Sequence, residues 1–118
     1  MRGGALTAAA LAARVDRLLA DARAAGRAVT LRALEELYTT GCARVLELEA
    51  DAVRLQRQRE GALSAAPEKR PPDSVVRSLT ADATEVQEAL SELRAQVRHI
   101  RTATEWLREE SYGQASGL

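Results

Sequence analysis

Residues 76–107 read VRSLTADATEVQEALSELRAQVRHIRTATEWL, and an apolar residue returns there at every third or fourth position. A repeat of about 3.5 residues keeps one stripe of an α-helix turned towards a partner helix along its whole length. Thr104 alone interrupts the apolar series, and its methyl group still suits a helix seam. The stripe consists of Val76, Leu79, Ala83, Val86, Leu90, Leu93, Val97, Ile100, Thr104 and Leu107. This pattern predicts a long helix that another helix covers.

A second stretch with the same spacing lies upstream and supplies that partner. Its stripe consists of Leu31, Leu34, Tyr38, Gly41, Val45, Leu48, Ala52 and Leu55. Pro71 and Pro72 stand between the two stretches and cannot continue a helix. The sequence therefore predicts helices over 31–63 and 74–110, joined by a proline-rich loop over 64–73 and folded into an antiparallel hairpin. Within the first stripe, Gly41 indicates a close approach of a neighbouring backbone rather than a hinge.

Charged residues beside the two stripes set the expected register of the hairpin. In an antiparallel pair the positions that flank the seam face each other, and here opposite charges meet. The expected neighbours are Glu49 with Arg94, Glu35 with Arg108 and Gln56 with Gln87, and the expected apolar layers are Leu48 with Val97 and Leu55 with Leu90. Exposed ion pairs contribute only tenths of a kcal/mol each, roughly, so they select the orientation and do not hold the fold.

Local signals mark the ends of the helices. A shorter N-terminal helix is predicted over 5–25, with Gly26 as its left-handed C-terminal cap. Thr30 is the expected N-cap of the second helix, and Asp73 or Ser74 that of the third. The tail 111–118 is expected to fray. The predicted fold is a single all-α domain over 1–118, either a three-helix bundle or part of an oligomeric bundle.

Apolar residues also lie outside the main seam. Leu37, Leu46 and Val53 form a second stripe on the second helix, and Trp106 projects from a face that the hairpin does not need. Two interpretations of Trp106 stay open: it anchors another chain, or the N-terminal helix folds back to cover it. The residues predicted to form seams with other helices are Leu37, Leu46, Val53, Val86, Leu90, Leu93, Val97, Ile100, Trp106 and Leu107.

The sequence contains no recognisable constellation for chemistry. His99 is the only histidine, and Gln96, not a glutamate, stands one turn before it, so no metal site is predicted. Cys42 is the only cysteine and reads as a small packed apolar residue. There is no phosphate-binding glycine loop and no glycine-flanked serine nucleophile. We therefore predict no catalytic residue, no cofactor and no small-molecule substrate.

Charge and hydropathy narrow the possible partners and location. The 118 residues include seventeen basic and seventeen acidic side chains, so no net charge attracts nucleic acid or anionic lipid. No run of eighteen apolar residues occurs, and no membrane span is predicted. An intracellular, cytoplasmic location is expected. Residues 1–15 contain Arg2 and Arg14 and no acid, which also fits an organelle transit peptide, although an Ala-rich helix opens in the same way.

These features favour a non-catalytic interaction subunit that assembles with itself or with other helical chains. The general form is similar to that of small helical subunits in tethering, cytoskeletal or kinetochore assemblies, but no motif ties the chain to any of them. One alternative is a small all-helical enzyme of the mutase type, with Arg14, Arg17, Arg44 and Arg54 binding a dianionic substrate. The other is a nucleic-acid-binding protein that uses the stripe of arginines from Arg94 to Arg108.

Overall fold

The two heptad stripes pair with each other along one long hairpin. The computed structural model describes residues 6–116, and side chains as far as Glu110. In chain order the helices are α1 (Ala8–Ala20), α2 (Ala22–Ala25), α3 (Arg27–Ser64) and α4 (Asp73–Ser116), and the loop contains one 3-10 turn at Pro67–Lys69. Helices α3 and α4 pack against each other over their length, and the described residues include no strand. The predicted all-α hairpin is confirmed.

The core of the hairpin is the predicted seam. Leu93 and Ile100 of α4 and Leu34 of α3 are almost completely buried. The polar member of the stripe, Thr104, is 7% exposed, and its hydroxyl donates a hydrogen bond of 2.8 Å to the carbonyl oxygen of Ile100. A buried hydroxyl with a backbone acceptor is satisfied, so Thr104 is tolerated inside an apolar seam.

The ion pairs between α3 and α4 confirm the predicted register. Arg94 donates to Glu49 across the hairpin at 3.3 Å, and Arg108 donates to Glu35 in the same way. The amide of Gln56 donates instead to Glu60 on its own helix, at 3.2 Å. A third ion pair joins Arg27 of α3 to Glu110 of α4 at 3.4 Å, and all three pairs require the antiparallel orientation.

One of the two predicted apolar layers is shifted. A methyl group of Val97 lies only 2.9 Å from the point that a Cβ atom of Gly41 would occupy, so Val97 packs against Gly41 and not against Leu48. Side chains on a helix lean towards its N-terminus, so flanking residues that pair across an antiparallel seam are not level with each other. The ion pairs therefore gave the right register, while Val97 packs on Gly41 instead of the predicted Leu48; the layer of Leu55 with Leu90 stays a prediction. The close approach at Gly41 is made by side-chain methyl groups of Val97 and Leu11, and not by a neighbouring backbone as predicted.

Helix α3 begins four residues earlier than predicted. Gly26 has a φ of +94°, and this conformation, which glycine adopts without strain, turns the chain from α2 directly into Arg27. Thr30 is therefore not an N-cap. It lies in the first turn of α3 and is 1% exposed, and its hydroxyl donates to the carbonyl oxygen of Gly26 at 2.9 Å. Val29, which would pack on Leu34 if Thr30 were an N-cap with a hydrophobic staple, is 62% exposed.

The N-terminal helix is shorter than predicted and is divided. Thr7 caps α1, because its hydroxyl oxygen accepts a hydrogen bond of 3.1 Å from the backbone N–H of Ala10. A turn at Asp21 separates α1 from α2. The predicted start at Ala5 lies outside the described residues. We predicted one helix over the whole Ala-rich segment, because alanine favours the helix and gives no signal for a helix end.

Helix α1 packs on one half of the hairpin. Leu11 and Val15 of α1 are fully buried against α3 and α4. Leu11 lies next to Gly41, and the guanidinium of Arg44 donates to the carbonyl oxygen of Leu6 at 3.3 Å. Helix α1 therefore runs antiparallel to α3 from the level of Arg44 back to the start of α3. That half is a three-helix bundle, and the half nearer the loop is a two-helix hairpin.

The ends of α4 also differ from the prediction. Neither Asp73 nor Ser74 precedes the helix; both are its first residues, and the carbonyl oxygen of Pro72 accepts from the N–H groups of Val75 and Val76. The helix does not end at Glu110 but continues to Ser116. Gly113 costs only about 1 kcal/mol relative to Ala in a helix, which does not by itself end a helix of this length. Residues 117–118 of the predicted frayed tail lie outside the described residues.

Exchanging the charges of Glu49 and Arg94 tests the register. We expect either single reversal, Glu49→Arg or Arg94→Glu, to lower the free energy of unfolding by a few tenths of a kcal/mol, roughly, because the two side chains are about half exposed. The double reversal should restore that loss. Urea denaturation of the four proteins measures the coupling, and purely additive effects would contradict the direct pairing.

Candidate interaction surfaces

The ten predicted seam residues divide into two groups. Seven of them are used within the chain, as buried or half-buried members of its core: Leu37, Val86, Leu90, Leu93, Val97, Ile100 and Leu107. These side chains already have partners on α1, α3 or α4. The other three, Leu46, Val53 and Trp106, are exposed. Any seam with another chain must therefore be built on the second group.

Leu46 and Val53 lie on α3 on the side that α1 does not cover. Leu46 is 66% exposed and Val53 is 47% exposed, and seven residues separate them, so they lie two turns apart on one face. Leu37, the third member of the second stripe, is half-buried against the core. Leu37 lies nine positions before Leu46 and so on about the opposite face of α3, and only Leu46 and Val53 share an exposed face.

A shallow apolar groove adjoins Leu46, and we call it the stripe groove. It is lined by Cys42, Val45, Leu46, Arg94, Val97 and Arg98. The guanidinium of Arg94 is held at its edge by the ion pair with Glu49. Because Arg94 is fixed by Glu49 and the floor is aliphatic, the stripe groove offers apolar area with a defined polar border. Cys42 is half-buried there, as expected of a small apolar residue.

Trp106 is 59% exposed, so α1 does not cover it. The alternative in which the N-terminal helix folds back over Trp106 is wrong for this structure. Helix α1 packs instead on the side of the hairpin marked by Leu37 and Ala103, both of which contact the core. His99, two turns before Trp106, is exposed as well. Its imidazole forms no metal cluster, since no group of three or more His, Cys, Asp or Glu side chains converges among the described residues.

Sequence reasoning missed a third surface, which we call the loop-side groove. It runs between α3 and α4 beyond the end of α1, and its apolar floor consists of Leu48, Leu55, Leu79, Val86 and Ala89. The difference in length between the N-terminal helix and the hairpin was the available signal, because a short helix cannot cover two long ones. What the sequence did not show was which side α1 takes.

The arginines of the two alternative functions are mostly engaged in ion pairs. Arg44 and Arg54 border the loop-side groove, where they pair with Glu47 and Asp51 of their own helix. Arg14 and Arg17 are exposed on α1. In the C-terminal arginine stripe, Arg94, Arg101 and Arg108 each contact a glutamate.

Over the described part of the chain, no helix combines the length and the apolar character that crossing a bilayer requires. Comparison with protein-family models, with curated proteins and with solved structures finds no match for this chain.

Proposed function

We propose that this protein is a non-catalytic helical subunit that assembles with copies of itself or with other helical chains. The observation that carries the proposal is the exposure of Leu46 and Val53, which line one shallow groove of α3 together, on a hairpin whose other stripe is already buried; Leu46 also lines the stripe groove. Contiguous apolar surface with a polar border commonly marks a site for a partner. A scaffold or tethering role inside the cytoplasm fits this form and stays part of the proposal.

The energetics support a helix as the partner. Leu46 and Val53 repeat at the interval of one heptad, so a second helix packed along α3 would cover both. Full burial of one Leu or Val side chain contributes roughly 1.5–3 kcal/mol. Two such residues, with the floor of the stripe groove, provide enough apolar burial to offset part of the entropic cost of association.

A matched pair of double variants tests the proposal. Leu46→Ser with Val53→Ser should weaken association by about 2 kcal/mol or more, which is over tenfold in Kd, because the apolar area of the site is lost. The control is Leu63→Ser with Val29→Ser, which removes a leucine and a valine of similar exposure, 48% and 62%, that line neither the stripe groove nor the groove shared by Leu46 and Val53. Sedimentation velocity at micromolar concentration, with and without a co-purified partner, measures the association of both double variants.

The sole tryptophan provides a second readout in the same experiment. Trp106 is more than half exposed, so its emission should lie at long wavelength in the isolated chain. A blue shift on association would place the Trp106 face in the contact. Equal association of both double variants and wild type would contradict the proposed site, and a chain that stays monomeric with no partner recovered would contradict the proposed function.

A further inference from the structure

The loop-side groove is the continuation of the surface that α1 occupies. Arg44 lies at the end of the groove nearest to α1. Its guanidinium donates a hydrogen bond to the carbonyl oxygen of Leu6, just before α1 begins. From Arg44 the groove runs past Leu48 and Leu55 to Gln58. At about 1.5 Å per residue this is roughly 20 Å, or four helical turns. In the half of the hairpin that α1 covers, this surface binds a single helix, which inserts aliphatic side chains between α3 and α4.

Burial falls where α1 ends. Under α1, the seam residues Ile100 and Leu93 of α4 are 0% and 1% exposed. Further along the same seam, Val86 and Leu79 are only half-buried and line the loop-side groove. Leu48 and Leu55 of α3 stay buried there, at 6% and 8% exposure, so the loop-side groove is open mainly along α4.

The charge along the groove is asymmetric. On the α3 border, Arg54 pairs with Asp51, so these two charges are matched within the chain. On the α4 border, Asp82 and Glu85 form no ion pair with any described residue. Two unmatched carboxylates beside an aliphatic floor favour a partner helix that carries Lys or Arg on the side facing α4.

We propose that the loop-side groove binds one basic amphipathic helix of another protein, placed end to end with α1. This rests on the proposed function and adds a second surface and the chemistry of its partner. A second copy of the chain fits less well, because antiparallel two-fold packing on this surface would set Asp82 and Glu85 opposite their own copies. Parallel packing would bring the two α1 helices between the hairpins.

The probe is a peptide that has the sequence of α1 and its flanking residues, with two substitutions that make the peptide more basic. It carries residues 6–25 with Asp16→Lys and Asp21→Lys, and the matched acidic peptide carries Arg14→Glu and Arg17→Glu instead. Fluorescence anisotropy with the full chain should show binding of the basic peptide and, by comparison, at least about tenfold weaker binding of the acidic one. Low ionic strength keeps the contribution of the exposed carboxylates measurable.

Two protein variants locate the site. Ala89→Arg places a long charged side chain in the groove and should weaken binding of the basic peptide by about tenfold or more. Ala95→Arg is the control, since Ala95 is exposed on α4 and does not line the groove. If Ala89→Arg does not fold, Asp82→Lys with Glu85→Lys replaces it, and this variant should bind the acidic peptide in preference to the basic one.

The remaining outcomes overturn the proposal. Equal binding of the two peptides would remove the charge argument, and binding that ignores Ala89→Arg would mean that the peptide exchanges with α1 or binds elsewhere. Absence of binding would leave the groove without the proposed partner. Self-association abolished by Ala89→Arg but not by Ala95→Arg would assign the groove to a second copy. Leu46 and Val53 do not line the loop-side groove, so their variants report on the proposed function separately.

Discussion

Replacing Leu93 by Asp will abolish cooperative folding of the chain. Leu93 is 1% exposed and belongs to the main core cluster, at the point where the three-helix half meets the two-helix half. Removing the leucine side chain alone costs about 2–5 kcal/mol. A carboxylate left there without a partner costs several kcal/mol more, roughly, unless it is protonated. The sum is comparable to the whole stability of a domain of this size, which is about 5–15 kcal/mol.

Leu46→Asp is the matched control for this prediction. It is the same substitution in the other long helix, at a leucine that is 66% exposed, and it should change the free energy of unfolding by about 0.5 kcal/mol or less. Thermal melting, monitored by the circular dichroism of the peptide groups at 222 nm, compares the two variants with wild type. A Leu93→Asp protein that melts within a few degrees of wild type would mean that the stripe of α4 is not the core.

The hairpin could be predicted because three independent signals agree. The heptad stripes require partner helices of matching length, Pro71 and Pro72 break the helix between them, and Glu49 meets Arg94 only in the antiparallel register. Each signal depends on spacing along the sequence, which one chain displays in full. The position of the core residues Leu90, Leu93 and Ile100 follows from the same repeat.

The start of α3 could not be predicted in this way, because two local signals compete there: an N-cap at Thr30 and a turn at Gly26. Thr30 has the residue type and the spacing of an N-cap. The turn at Gly26 is favoured, because the positive φ of Gly26 reverses the chain at the end of α2. The carbonyl oxygen of Gly26 also accepts hydrogen bonds from both the N–H and the hydroxyl of Thr30. Once Gly26 ends α2, Arg27 and Ala28 have no reason to stay outside the helix.

The candidate surfaces were predicted only in part, because exposure depends on where α1 packs. Leu37 and Leu46 belong to the same predicted stripe, yet Leu37 contacts the core and Leu46 is exposed. Nine positions at about 100° each place them on opposite faces of α3, so they do not form one stripe. Periodicity does not show which flank of the hairpin the third helix takes. The same uncertainty concealed the loop-side groove, since its existence follows from the side and the extent of α1.

Replacing Gly41 by Leu will displace α1 from the hairpin. A Cβ atom at Gly41 would lie 2.9 Å from a methyl carbon of Val97 and 3.3 Å from a methyl carbon of Leu11, and leucine adds three further carbons in the same space. Val97 is short and β-branched, so it cannot move aside easily. Such overpacking typically costs about 1–3 kcal/mol, which exceeds the roughly 1 kcal/mol gained in helix propensity. Because Leu11 anchors α1, we expect α1 to give way before the α3–α4 seam does.

Gly61→Leu is the control within the same helix. Nothing lies within 4 Å of a Cβ atom at Gly61, so this variant should keep the gain in helix propensity and become more stable by up to about 1 kcal/mol. Urea denaturation compares the two glycine variants. Hydrogen exchange should show faster exchange in residues 8–20 of Gly41→Leu, while the amides of 45–60 keep their protection. If both variants gain stability equally and α1 exchanges as in wild type, Gly41 is not the point of closest approach between α1, α3 and α4.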